Sequence, residues 1–352
     1  MDKKVSYFSK EQRETLKLVG ILSVCLLVLL IISVVLFNSI TVPTTEPKTQ
    51  YVEVSTLDGM SLSDAKSVLD KAEIKYEIIH TSSKTPNKVE KVEYVGKTED
   101  GKLCIEVGTT VKLHANEVAQ NKIVYLTFDD GPIVNYTDNS LKHIYHNTGE
   151  ILDILEQYGV KATFFLVGEQ MVKGDRKHYV NEIYDNGHLI ACHSYSHELG
   201  SIYTSPSAFM SDIEDFENAL KGILGEEKYN SLGKCIRFPG GTAQNGYINK
   251  TTATSFVTAV HNMEYKIYDW TVLTNDANDS YRKPGESDRD YFIRSLKESL
   301  SAAKGKNAPL IVLMHDRDET KENLPEIIEY LISEGYYFDT IDNCPEYTFA
   351  EN

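Results

Sequence analysis

Residues 18–37 (LVGILSVCLLVLLIISVVLF) form a run of twenty residues without a charge, and this run limits the chain more than any other feature. No face of it is polar enough to meet water, and its length suits a helix crossing a bilayer. A cleaved signal peptide has an apolar region of only about 7–15 residues, and no small-x-small cleavage site follows Phe37. An uncleaved anchor is therefore expected. Lys3, Lys4, Lys10, Arg13 and Lys17 precede the run, and only Lys48 lies close behind it. The positive-inside bias then predicts a single-pass membrane protein with residues 1–17 cytoplasmic and everything after the anchor extracellular.

Residues 38–50 (NSITVPTTEPKTQ) mix Pro, Thr and charge without apolar periodicity, and read as a linker. Beyond them the composition is that of a folded protein, 41% apolar and 25% charged, which excludes wholesale disorder. The net charge is −16 and sits outside the basic N-terminus. Phosphate binding needs the opposite sign, so no nucleic-acid partner is expected. Five cysteines (25, 104, 192, 235 and 344) show no CxxC spacing. They read as separate buried thiols, neither a zinc knuckle nor a disulfide framework.

Residues 51–116 pattern as a small α/β module. YVEVSTL alternates like a strand. Ser61 and Asp64 fit the start of a capped helix with Leu62, Ala65, Val68 and Leu69 on one face. IKYEII and GKLCIEVGTTVKLHA follow as strands. With its closing G…V..GT.V.L pattern this module resembles a PASTA repeat, a helix packed on three strands, with YVGKTEDGKL as an unusual connection. The resemblance implies contact with cell-wall material, or a spacer holding the next domain off the membrane.

Residues 120–345 alternate strands with helices. IVYLTF, ATFFLVG, GHLIACH, KCIRFPG, YKIYDW and PLIVLMH are expected strands; GEILDILEQYGV, 176–186 and 206–225 are expected helices, and LPEIIEYLISEGYYF a helix then a strand. Buried, non-alternating strands in such units imply a parallel α/β layout. Four chemically loaded clusters fall just after strands, where parallel α/β folds carry their sites.

Thr127-Phe128-Asp129-Asp130-Gly131-Pro132 puts two carboxylates on a tight turn. Neighbours diverge in direction, so one could bind a cation while the other takes a proton. His193 and His197, four apart in HSYSH, would meet on one helical turn and could share a metal, zinc first, cobalt or nickel next. Arg237 in RFPGG would keep a nearby carboxylate ionised. His315 in LMHD, at a strand end, suits a general acid.

The order TFDDGP, HSYSH, RFPGG, DW…D, LMHD resembles that of the NodB homology domain of polysaccharide deacetylases, carbohydrate esterase family four, over residues 122 to 343. The resemblance implies a distorted (β/α) barrel with fewer than eight regular strands. It implies one divalent metal on Asp130, His193 and His197, Asp129 as general base held by Arg237, and His315 as the acid that protonates the leaving amine. The N–H of Gly240, just after Pro239, would be an oxyanion donor, with Trp270 and Leu313 walling the acetyl methyl. Two departures stand out. Gly240 occupies a position often held by Tyr, which removes a side-chain contact to the sugar. Leu273 replaces the first of two Asp in the fourth motif, leaving Asp276 as the candidate partner of His315. Residues 133–147 look like an inserted loop. The implied substrate is an acetylated wall glycan, peptidoglycan first; the rivals are an exopolysaccharide, a chitin-type polymer or acetylxylan, and, in another class, an inactive glycan-binding protein.

Overall fold

The computed structural model describes residues 10–39, 50–81, 85–133, 135–137, 143–145, 147–243 and 246–351. It divides into a unit from Met1 to Tyr51 and a compact unit from Val52 to Asn352. In the first, a helix runs Lys10–Ser39, and its stretch Glu14–Ser33 is long and apolar enough to cross a membrane, with its side chains exposed. The expected linker lies almost wholly outside the described residues, as does much of the expected cytoplasmic segment.

The second unit opens with a region that has its own buried cluster, including Val54, Leu57, Ala65, Leu69, Leu103, Ile105, Val111 and Leu113. Its helix Leu62–Lys71 starts on Ser61, whose side chain accepts the Asp64 N–H. Six strands accompany it among the described residues, where three were expected. Tyr51–Ser55, Lys102–Glu106 and Gly96–Glu99 make one sheet; Lys75–His80, Thr110–Ala115 and Val89–Glu93 make another. The segment read as a connection is a hairpin, Gly96–Glu99 against Lys102–Glu106. Asp100 and Gly101, both at positive φ, make its turn, the chemistry that two-residue hairpins require.

The remainder is built on eight parallel strands. In spatial order they are Lys266–Ile267, Cys235–Ile236, Leu189–Cys192, Thr163–Leu166, Ile123–Asp129, Leu310–His315 and Val272–Leu273, while Tyr337–Phe338 shares an edge of Ile123–Asp129. The sheet curls as a half-barrel, and four of its strands are only two residues long. Period-two geometry sorts the side chains. Val124, Leu126 and Phe128, with Leu310, Val312 and Met314, pack under the helices. Ile123, Tyr125 and Ile311 face the concave side. Asp129 and His315 keep that same phase, so strand alternation turns both into the hollow at the carboxyl ends of adjacent strands, where they are register partners. Burial on both faces explains why these strands read as unbroken apolar runs.

Three helices of four or five residues, Gly168–Val172, Leu199–Ile202 and Glu226–Asn230, escaped the sequence reading, as did two long ones, Lys250–Asn262 and Asp288–Gly305. Their start signals are present. Asn249 and Thr252 make a capping box, and Ser287 caps through the Asp290 N–H. Of the suspected insertion, residues 135–137 and 143–145 pair as an antiparallel hairpin, and the rest of 134–146 lies outside the described residues. All five cysteines are free; four are buried and Cys25 is exposed on the first helix.

Candidate active site

Arg237 is the largest fully buried side chain among the described residues, and every nitrogen of its guanidinium is used. Nε donates to the Tyr268 carbonyl at 3.0 Å, and Nη2 to the Asp269 carbonyl at 3.4 Å. Nη1 donates to Thr127 Oγ1 and to Asp129 Oδ1, both at 2.7 Å. A cation this deep is tolerated only when paired. The pairing fixes the Asp129 carboxylate and leaves Oδ2 aimed at the candidate metal ligands, 3.7 Å from His193 Nε2.

Asp130, His193 and His197 bring one ligand atom each within 4.8 Å of one another. Asp130 Oδ1 lies 3.5 Å from His193 Nε2 and 3.3 Å from His197 Nε2. Ligands held at about 2.0–2.1 Å in a tetrahedral shell sit about 3.3–3.4 Å apart, so the two Asp130–His spacings suit a zinc-class ion. His193 Nδ1 donates to the Arg237 carbonyl at 2.9 Å, which leaves the lone pair on Nε2. Burial, opposed by the charges of Asp129 and Asp130, holds His193 below the ordinary imidazole pKa, so it is neutral as a ligand must be.

The His pair does not meet on a helical turn, as its spacing suggested. HSYSH is a loop, with Ser194 and His197 at φ 71° and 58° and Asp130 at 72° in the facing turn. Left-handed non-glycine residues are costly, and clustering at one site marks a backbone held there by its surroundings. Asp212, on the helix Pro206–Leu224, accepts the N–H groups of Tyr195 and Ser196 at 2.5 and 3.1 Å. Gly168 lets the loop press close, since a Cβ there would lie 2.2 Å from the Tyr195 ring. Neither residue was legible from the motif.

His315 stands at the neighbouring strand end. Its Nδ1 donates to Asp276 Oδ1 at 3.0 Å, and its backbone N–H to Asp276 Oδ2 at 2.6 Å, where Thr320 also donates at 2.6 Å. Nε2 is left to carry a proton towards the hollow. Burial alone would lower the His315 pKa, but the hydrogen bond and charge of Asp276, with the charges of Asp129 and Asp130, push it up to about 9. Asp316 instead braces the first turn. It accepts from Thr148 Oγ1 at 2.5 Å and from the Ile133 N–H at 3.3 Å, and a Cβ on Gly131 would meet it at 2.7 Å.

Leu313 is buried on the strand that carries His315, and Trp270 is half-buried with the Arg237 guanidinium 5.9 Å from its ring. Pro239 is buried, and its carbonyl accepts the Tyr203 hydroxyl at 2.9 Å. Gly240 is exposed with φ 76°, while the next N–H, of Gly241, is taken by the Phe238 carbonyl.

If His315 is the working acid, activity persists only while it holds its proton. Its raised pKa keeps it charged at neutral pH and places the alkaline limb of the rate profile near pH 9, or below it once a cation offsets Asp129 and Asp130. Asp276→Asn should move that limb towards the ordinary imidazole value of about 6.5. A pH profile of kcat checks this, and a limb that stays in place would detach Asp276 from His315.

The carboxyl-end hollow of the curled parallel sheet thus gathers a buried ion pair, three side chains that could hold a metal ion and a carboxylate-backed histidine, an arrangement suited to hydrolysis. Residues 116–266 match the family model described as polysaccharide deacetylase. A peptidoglycan-N-acetylglucosamine deacetylase of Bacillus cereus is 28% identical over 237 residues, 66% of this chain and 92% of that protein. A bifunctional xylanase/deacetylase of Pseudobutyrivibrio xylanivorans is 30% identical over 228 residues, 64% of this chain but only 31% of that protein. The crystal structure of the catalytic domain of a peptidoglycan N-acetylglucosamine deacetylase from Eubacterium rectale superposes with a TM-score of 0.50 at 28% identity, over 66% of this chain and 94% of that one. Residues 116–266 are thus similar to polysaccharide deacetylase domains, and these relatives support a deacetylase enzyme.

Proposed function

We propose that the chain is a membrane-anchored, extracellular enzyme that hydrolyses N-acetyl groups on the amino sugars of peptidoglycan. The observation that carries the reading is the convergence of three elements: the Asp130, His193 and His197 cluster, Asp129 locked by Arg237, and His315 backed by Asp276. A divalent ion on the three ligands, zinc before cobalt or nickel, would supply Lewis-acid polarisation and acidify a water.

The protein's own groups then divide the work. Asp129 Oδ2 takes the proton from the attacking water as its oxygen bonds to the acetamide carbon. The Gly240 N–H donates to the carbonyl oxygen as it becomes negative. Trp270, Leu313 and Pro239 shape the wall beside the methyl group. His315 Nε2 gives its proton to the nitrogen as the C–N bond breaks, leaving acetate and a free amino sugar. Retention of base, acid and all three ligand candidates supports an active enzyme over a glycan-binding relic.

The relatives named for peptidoglycan support that polymer, together with a helix fit for anchoring the domain next to the wall. The region 51–116 serves in this reading as a PASTA-like spacer or wall contact. Acetate released from peptidoglycan, chitin oligomers, poly-N-acetylglucosamine and acetylxylan tests the assignment. Peptidoglycan should be turned over fastest, and a preference for any of the others would replace it.

The anchor carries its own expectation. Protease added outside intact cells should degrade residues 51–352 and spare a short N-terminal fragment. Protection of the large domain would reverse the orientation and remove the wall as substrate.

A further inference from the structure

We propose that the segment Tyr347–Glu351 is a strap that, through Asp269 and Thr242, sets the position of the Gly240 N–H and of Trp270; the inference rests on the deacetylase reading above. Thr242 follows RFPGG directly and Asp269 opens DW…D, but the motif resemblance assigns neither a role, and Asp269 and the strap lie past residue 266, where the family match ends.

The need for such a device arises in the loop itself. Gly240 and Gly241 adopt φ 76° and 84°, conformations open to glycine and rarely to other residues. Two successive glycines also leave the loop with the largest backbone freedom to lose. No side chain at 240 or 241 can hold the donor in place; the Tyr203 hydroxyl holds the Pro239 carbonyl of the same peptide unit on one side, and the stretch after Gly241 needs a second anchor.

Asp269 supplies it. The residue is completely buried, and its carboxylate accepts the Thr242 N–H at 3.0 Å, Thr242 Oγ1 at 2.5 Å and the Phe349 N–H at 2.6 Å. Thr242 Oγ1 in turn accepts the Ala350 N–H at 3.0 Å. The Asp269 N–H donates to the Tyr347 carbonyl at 2.8 Å, and its own carbonyl takes Arg237 Nη2. One residue thereby joins the strap, the glycine loop and the arginine that holds Asp129.

Phe349 completes the arrangement by packing. Its ring stands edge-on to Trp270, centroids 5.0 Å apart. A Cβ on Gly241 would lie 3.2 Å from that ring and 3.2 Å from Asp269 Oδ1, so the loop is seated directly against both. Thr348, also buried, receives the Glu351 N–H and closes the turn. Asp269, Thr242 and Phe349 are positioning residues; none of them is assigned to touch substrate.

The test compares the full-length chain, in detergent, with a chain ending at Glu346 and with Phe349→Ala, Thr242→Val and Thr242→Ser. Both an N-acetyl glycan and an aryl acetate are used as substrates. A misplaced oxyanion donor slows both substrates alike, because the negative oxygen forms in either reaction. Truncation, Phe349→Ala and Thr242→Val should lower kcat about 10- to 100-fold on both, short of the full loss of a donor, with KM and bound metal little changed. Thr242→Ser should restore the rate. Amide exchange at Gly241 and Thr242 should quicken at least about tenfold in the truncated chain as their bonds lose support. Unchanged kcat in the truncated chain and in Phe349→Ala would overturn the strap, as would losses tracking metal content or folded fraction alone. A wild-type chain that releases no acetate from either substrate would instead sink the deacetylase reading, and unchanged amide exchange would then still refute the strap.

Discussion

Asp129→Asn should reduce acetate release by about 10²- to 10⁴-fold while the metal stays bound, the scale of removing a general base. The substitution is nearly isosteric and keeps an oxygen for Arg237, so the shape of the site survives. The loss is the proton acceptor at Oδ2, 3.7 Å from His193 Nε2. Asp130→Asn is the control. It should weaken metal binding first, because Asp130 Oδ1 is the atom that lies 3.3 and 3.5 Å from the two imidazole nitrogens. Metal content measured beside turnover separates the neighbours. Near-normal turnover in Asp129→Asn, or loss of metal in it with retention in Asp130→Asn, would exchange or abolish the two roles.

His315→Ala should keep its metal and its affinity for substrate, and lose about 10²-fold or more in turnover on N-acetyl glycans. An amine leaves as an anion only at prohibitive cost, and a cation on the carbonyl side cannot protonate nitrogen. In the proposed mechanism the donor is His315, which is tied by two hydrogen bonds to Asp276 with its pKa raised to about 9. An activated aryl acetate needs no proton on its leaving group, so the loss there should be far smaller. Equal losses on both substrates would point to a structural or oxyanion role. This pattern also distinguishes His315 from the strap, whose disruption should slow both reactions equally.

The candidate site residues could be singled out because each follows an apolar strand and because strand alternation is readable. Asp129 shares the phase of Tyr125 and Thr127, and His315 that of Ile311 and Leu313. The way those residues are held was less legible. The expected Arg237 partnership with Asp129 spans 108 positions, and the Asp276 partnership with His315 spans 39. Asp212 beneath HSYSH and Asp269 beneath RFPGG are contacts of the same long-range kind, and carry no periodic signal. The HxxxH spacing misled for a related reason: helical and looped backbones can both bring such a pair together, and here Ser194 and His197 take the left-handed route. The helix Lys250–Asn262 is hard to read because its Thr-rich first turn has poor helix propensity, which its capping box offsets. In the small region, Asp100-Gly101 is a turn signal, but a three-strand pattern leaves no place for another hairpin.

The most direct test of the central claim is acetate released from N-acetylated peptidoglycan by the purified chain, measured before metal removal, after chelation, and after zinc is restored. Release should stop on chelation and return with about one equivalent of zinc, the single ion that three ligands would hold. Release that continues undiminished in the metal-free chain, or no release in any of the three states, would contradict a metal-dependent deacetylase.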